Sequence, residues 1–193
     1  MKNVLLGCLL CTAVAVPAFA ALKEGDKAPT FTAKASLAGK AFDYSLADSL
    51  KKGPVVVYFY PSAFTQGCNI QAHTFSENMD KFKAAGASVI GVSLDSIERL
   101  NDFSKDPQYC AGKVAVASDA SGSIAKSFDL MVGAARDGAK DSRGVEIGHG
   151  FAERTTFIET PDGKVAATVG GVSPADNVMK SLETVQHLQH AAH

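Results

Sequence analysis

The chain has 193 residues, 19 basic and 20 acidic, with a formal net charge of −1 and 46% hydrophobic residues. That balance gives no electrostatic reason to bind nucleic acid or an anionic membrane surface, and the length suits one domain with a core of its own. Four cysteines in a chain this long do not make a disulfide scaffold.

Residues 1–20 read as a cleaved secretory signal peptide. Lys2 gives a positive start, 4–16 is an apolar run with Cys8 inside it, and Ala18-Phe19-Ala20 is an A-x-A cleavage site before Ala21. The run is short for a membrane span of about 20 residues, and no later segment is long and apolar enough to be one. The expected organisation is a signal peptide over 1–20 and one domain over 21–193, exported to the periplasm or beyond, with no membrane contact after cleavage. Only Cys68 and Cys110 outlast the cut, in a compartment where disulfides persist.

The mature chain opens with an arm around Asp26-Lys27-Ala28-Pro29. A short strand is predicted over 41–44 and a short helix over 46–52, stopped at Gly53-Pro54. Residues 54–60, apolar and β-branched, read as a buried central strand. A helix follows from about Gln66 to Ala84-Ala85-Gly86, with Ile70, Phe75, Met79 and Phe82 at spacings of three to five. Next come a buried strand at 87–94, a helix at 97–103 broken by Asp106-Pro107, a strand at 114–117 and a helix at 121–128. Residues 130–150, with five glycines and weak periodicity, read as a long loop holding one strand near 130–132. Segments 155–159 and 164–169 flank the turn Thr160-Pro161-Asp162-Gly163 and make a β-hairpin. A terminal helix over 174–190 presents Val178, Leu182, Val185 and Leu188 on one face. The order implies an α/β sandwich of the thioredoxin type: a mixed central sheet, parallel in the middle, with helices on both faces.

Pro61-Ser62-Ala63-Phe64-Thr65-Gln66-Gly67-Cys68 places a thiol in the first turn of a helix that follows a buried strand. The first N–H groups of a helix lack intrahelical acceptors and the dipole is positive there, so a thiolate is stabilised and nucleophilic near neutral pH. Thr65 is the expected N-cap, which makes Cys68 the third helical residue. A dithiol reductase would need a cysteine at position 71, which is Gln. A copper-delivery protein of this fold would need one at position 72, which is Ala. What remains is a single activated thiol beside a hydroxyl, with Pro61 shielding it and fixing the turn. A thiolate attacking a peroxide needs a cation to hold the sulfur and polarise the O–O bond. Arg154, at the start of Thr155-Thr156-Phe157-Ile158, is the candidate for that cation, always charged and planar, with a surface arginine at a strand start as the alternative. A thiol–disulfide exchange protein and a metal-binding thioredoxin-like module are the competing readings.

Pro61-x-x-x-Thr65-x-x-Cys68, Arg154 before Thr-Thr-Phe-Ile, and the Pro-Asp-Gly turn together resemble the peroxiredoxins, over nearly all of the mature chain. Tyr60-Pro61 and Ala63-Phe64-Thr65 look most like the bacterioferritin-comigratory, or Q-type, branch. The resemblance implies a thiol-dependent peroxidase acting on hydrogen peroxide and alkyl hydroperoxides. Cys68 would be oxidised to sulfenic acid, Thr65 and Arg154 would hold the substrate oxygens, and Pro61 would shield the sulfur. The Gly67 and Cys68 amides would donate into the pocket. From its position Gln71 is also expected at the pocket, and Phe64 is expected to line the substrate mouth or to belong to the core. It implies no metal and no organic cofactor, a thioredoxin-like protein or small thiol as reductant, and a monomer or weak dimer.

The sequence departs from the branch at three places. Gln66 replaces a proline, Gln71 stands where some relatives carry Glu and can still hydrogen-bond Arg154 without bringing a charge, and His73 occupies the position of the usual resolving cysteine. Some Q-type relatives place that cysteine near the end of the next helix, which makes Cys110 the expected resolving residue, with a buried apolar cysteine as the alternative. His73 is expected on the surface and His149 away from the pocket. His187, His190 and His193 are expected to form a polar tail.

Overall fold

A computed structural model describes residues 21–191. The expected signal peptide, with Cys8, and His193 lie outside the described residues. The elements are β1 (Thr32–Leu37), β2 (Lys40–Ser45), α1 (Leu46–Leu50), β3 (Val55–Phe59), α2 (Gln66–Ala84), β4 (Ser88–Ser93), α3 (Ile97–Lys105), β5 (Ala115–Ser118), α4 (Ser123–Ser127), β6 (Val132–Gly133), β7 (Phe151–Ala152), β8 (Thr155–Glu159), β9 (Val165–Gly170) and α5 (Pro174–Ala191). Seven strands form one sheet in the order β2-β1-β5-β4-β3-β8-β9. β3, β4 and β5 run parallel, and β8 and β9 close one side antiparallel, as expected from the sequence.

The other edge departs from expectation. β1, read as part of an irregular arm, pairs antiparallel with both β2 and β5. Its sequence, TAKASL, holds few strand-forming residues, so pairing and not propensity makes it a strand. A two-residue turn at Ala38 and Gly39, both at positive φ, joins it to β2. That geometry matches the twist of a hairpin.

Side-chain alternation along β3 divides the core in two. Val56 and Tyr58 face a cluster with Phe75, Met79 and Phe82 of α2, Leu100 and Phe103 of α3, and Val178, Leu182 and Val185 of α5. Val55, Val57 and Phe59 face Leu46 and Leu50 of α1, Ala125 of α4 and Phe128. Each large side chain so buried contributes about 1.5–3 kcal/mol. Gly91 on β4 is a packing requirement. A Cβ there would lie 2.5 Å from the Tyr58 ring, which crosses the strand at that point. Ile70 does not share the buried face of α2 and is 45% exposed; at five residues before Phe75 it has turned away from the sheet.

The 130–150 segment is mostly irregular, as expected. Its strand lies at Val132–Gly133 and pairs with Phe151–Ala152. A single bridge between Lys140 and Glu146 makes a small hairpin within it. No described helix is long and apolar enough to cross a membrane.

Candidate active site

β3 delivers the chain into a pinned turn. Asp95, just beyond β4, accepts from the Ser62 hydroxyl at 2.9 Å and the Ala63 amide at 2.7 Å. The Phe64 carbonyl accepts from Ser142, from its amide at 3.0 Å and its hydroxyl at 2.7 Å. Phe64 itself has φ +63°, a conformation that costs a non-glycine residue of order 1–3 kcal/mol and persists only where its surroundings enforce it. Thr65 takes the N-cap position in extended conformation, and Cys68 is the third residue of α2, as the spacing implied. The expected side-chain cap is absent. The Thr65 hydroxyl donates backwards to the Ser62 carbonyl at 2.8 Å, which tightens the turn instead of satisfying the helix.

Arg154 enters from the residue before β8. Its Nη2 lies 3.4 Å from Cys68 Sγ, and its Nη1 donates to Gln71 Oε1. Gln71 Nε2 donates to Asn177 Oδ1 at 2.9 Å, which also accepts from Thr156 Oγ1 at 2.6 Å. Asn177 Nδ2 donates to the Val169 carbonyl at 2.9 Å. The guanidinium is therefore oriented by two buried amides in series, Gln71 of α2 and Asn177 of α5, with the Thr156 hydroxyl of β8 as a further donor. Gly67 leaves room for it: a Cβ at that position would sit 3.1 Å from Arg154 Nη2.

An open cleft of ≈ 540 Å³ reaches this point, lined by Pro61, Thr65 and Arg154 on one side and by Met131, Arg136 and Phe151 among others on the far side. Cys68, 2% exposed, sits behind the rim. Arg154 thus shares the cleft wall with Pro61 and Thr65 and also touches the Cys68 sulfur. Residues 24–168 match the AhpC/TSA family.

The chain belongs to that family. It is similar to a putative peroxiredoxin of Mycobacterium tuberculosis, 33% identical over 159 residues that cover 82% of this chain and 92% of the relative. It is similar to peroxiredoxin Bcp of Escherichia coli, 40% identical over 84 residues that cover 44% of this chain and 51% of the relative. Among solved structures, peroxidoxin BcpB from Mycobacterium tuberculosis superposes with a TM-score of 0.70 at 27% identity, over 86% of this chain and 98% of that one. The chain is a peroxiredoxin with the expected thioredoxin-like fold, and a thiol-dependent peroxidase, with a peroxide as substrate and a thiol as reductant.

Two residues expected in the pocket of this peroxiredoxin lie off the cleft, though Gln71 keeps its expected hydrogen bond with Arg154. Phe64 is 1% exposed and does not line the cleft. Its left-handed backbone turns the ring into the core, edge-on to Phe103 and Tyr109, with the Arg143 guanidinium over its face. Gln71 is fully buried and holds Arg154 from behind, where the cleft does not reach.

Cys110 is also fully buried, in the turn after α3, and it and Cys68 are both unbonded. Burial, and then the charge of Asp106, push its thiol far up from the ordinary cysteine value. His73 is exposed, as expected, and meets the Gln108 carbonyl at 3.0 Å, close to Cys110 in sequence. His187 is exposed, with Nε2 3.9 Å from Glu183 Oε1. Sequence reading missed Asp95, Arg99, Thr156 and Asn177. The one signal for Asp95 was a carboxylate directly after a buried strand, the place where a turn gathers free amides.

Proposed function

We propose that Cys68 is the peroxidatic nucleophile and that Thr65, Arg154 and Pro61 form its reaction pocket. The guanidinium 3.4 Å from the sulfur carries this reading. An anionic sulfur in the first turn of a helix and beside a fixed cation is electrostatically favoured. The Cys68 thiolate attacks one peroxide oxygen. The S–O bond forms as the O–O bond breaks, and the second oxygen leaves with a proton as water or an alcohol. Sulfur is oxidised to sulfenic acid and the peroxide is reduced. Arg154 offers donors where charge grows on the leaving oxygen, and the Thr65 hydroxyl oxygen, whose proton goes to the Ser62 carbonyl, can accept from the peroxide O–H. The cleft is roomier than hydrogen peroxide requires, and Met131, Phe151, Ala134 and Ala152 on its wall suit the apolar tail of an alkyl hydroperoxide.

Cys110 is the resolving residue in this proposal. Its thiol condenses with the Cys68 sulfenic acid, forming the S–S bond and releasing water. Bridged cysteines hold their Cα atoms within about 7 Å, so the first turn of α2 unwinds to bring the sulfurs together. A thioredoxin-like protein or small thiol then reduces the bridge. Export through a cleaved 1–20 segment places the enzyme in the periplasm, and it works as a monomer or weak dimer. N-terminal sequencing from cell fractions and sedimentation test those two points.

The deciding experiment is peroxide consumption by the reduced protein and by Cys68→Ser. The reduced protein should be oxidised within seconds by stoichiometric hydrogen peroxide, and the variant should be inert. Equal rates for the folded protein and free cysteine would overturn the reading.

A further inference from the structure

Five groups converge on the carboxylate of Asp95, which is fully buried. The Ala63 amide and the Ser93 hydroxyl donate to Oδ2, each at 2.7 Å. The Ser62 hydroxyl, Arg99 Nε and His149 Nε2 meet Oδ1 at 2.9, 2.8 and 2.8 Å. An ionised carboxylate only accepts, so it suits such a set; an amide of the same shape turns an NH₂ towards some of these donors. Burial pushes the Asp95 carboxyl up, but the bonds from His149, Ala63 and Ser93 outweigh it and hold the group below its ordinary value.

Asp95 thereby grips residues 62 and 63, and Thr65 hangs on Ser62 through its own hydroxyl. Arg99 strengthens the grip. Its Nη2 donates to the Ala63 carbonyl and to Asp141 Oδ2, both at 2.8 Å. Asp141 belongs to the same glycine-rich segment whose Ser142 pins the Phe64 carbonyl. The segment closes as a strap over the turn that precedes Cys68.

His149 ends this strap, and its geometry is demanding. Nδ1 lies 2.7 Å from the Gly150 carbonyl and Nε2 lies 2.8 Å from Asp95 Oδ1. Both partners are acceptors, so only the doubly protonated ring donates to both. The charged groups around it are Asp95 from the end of β4, Arg99 from α3, and Asp141 with Arg143 of the strap, joined to Asp95 through Arg99. The Ser62 hydroxyl and the Phe151 ring complete its surroundings. Burial pushes the imidazole down, yet the bonds to Asp95 and Gly150 prevail and raise it above its ordinary value. The lock is therefore complete at low pH and is lost as pH rises through the value His149 has in the folded protein.

Taking Cys68 as the nucleophile proposed above, we propose that Asp95 is the positioning residue of the peroxide site and that the His149 imidazolium locks it, so that the turn bearing Thr65 loosens when His149 loses its proton. The test compares two reactions of the same sulfur. Oxidation by hydrogen peroxide needs the Thr65 and Arg154 geometry, whereas alkylation by iodoacetamide needs only an accessible thiolate. Their rate ratio cancels the thiolate fraction. In Asp95→Asn the ratio should fall by about tenfold or more, with alkylation itself changed by less than about threefold, the size expected for lost orientation. In the unsubstituted enzyme the ratio should fall as pH rises from about 6 to 9, across the histidine range. In His149→Gln, which donates without titrating, it should be flat. An unchanged ratio in Asp95→Asn overturns the proposal. So does a ratio in the unsubstituted enzyme that ignores pH, or the same slope in His149→Gln. If Asp95→Asn does not fold, the two pH profiles decide. Undiminished peroxide consumption by Cys68→Ser would instead sink the assignment of the nucleophile, so the two failures are told apart.

Discussion

The guanidinium of Arg154 stands 3.4 Å from the sulfur of Cys68, across 86 positions of chain. Nothing local holds it there. β8 pairs with β3 in register, Thr155 opposite Phe59, so the residue before one strand faces the turn after the other. Removing the head group should cost of order 3–4 kcal/mol of transition-state stabilisation, a rate loss of about 10²–10³. Arg154→Lys keeps the charge but not the fork, so it should recover only part of that loss. Stopped-flow oxidation of the reduced protein by hydrogen peroxide measures both.

Gln71→Glu tests the orienting chain. A carboxylate would still accept from Arg154, and with charge. It could not donate to Asn177 Oδ1, whose amide is oriented by donation to the Val169 carbonyl. Two oxygens would then face each other in a buried site, at a cost of about 1–3 kcal/mol. Chemical denaturation should show that loss while fast peroxide reactivity survives. A Gln71→Glu protein as stable as the parent would mean that the Gln71–Asn177 hydrogen bond adds nothing to the stability of the fold.

Cys110 should be invisible to reagents in the reduced, folded enzyme. Iodoacetamide should label Cys68 and spare Cys110, which is fully buried with its thiol pushed up by that burial. After one equivalent of peroxide the mass should fall by about 2 Da as the disulfide closes, whereas Cys110→Ala should gain about 16 Da as the sulfenic acid persists. Single-turnover oxidation should be alike in both proteins, and only recycling by a dithiol should fail in the variant. A gain of one oxygen by the unsubstituted protein would remove Cys110 from the cycle.

Glu159 makes the enzyme sensitive to alkali. Both carboxylate oxygens are buried without a partner at the end of β8, and burial pushes the group up to about 8. Because the folded value exceeds the unfolded one, its favourable contribution is complete below the ordinary carboxylate range and is lost as pH rises through about 8. Thermal midpoints should fall between pH 5 and 9, and the fall should flatten in Glu159→Gln. Near pH 7 the variant should be the more stable, by up to about 3 kcal/mol at 1.36 kcal/mol per pH unit. A parallel pH dependence in the two proteins would place the titration elsewhere.

Much of this peroxiredoxin could be read from its sequence, and for physical reasons. β3 and β4 are short apolar runs rich in branched residues, which have no stable place except the middle of a sheet. α2 begins after a proline-threonine turn and therefore carries Cys68 in its first turn wherever the rest of the chain goes. β1 escaped because its alternation of alanine, lysine and serine has no strand preference of its own. For Phe64 the sequence left the substrate mouth and the core both open, and its left-handed backbone directs the ring into the core. Thr65 was expected to cap its helix, and the carbonyl of Ser62 competed successfully for the same hydroxyl.

Local covalent order was enough to place Cys68 in the first turn of α2, with Pro61 and Thr65 in the turn before it, since those relations span only a few residues. The partners that complete the chemistry come from far along the chain: Arg154 on its chain of amides, and Asp95 with its ring of donors. Strand register and burial bring them in, because a buried charge or hydrogen-bonding group must find partners wherever the folded sheet offers them.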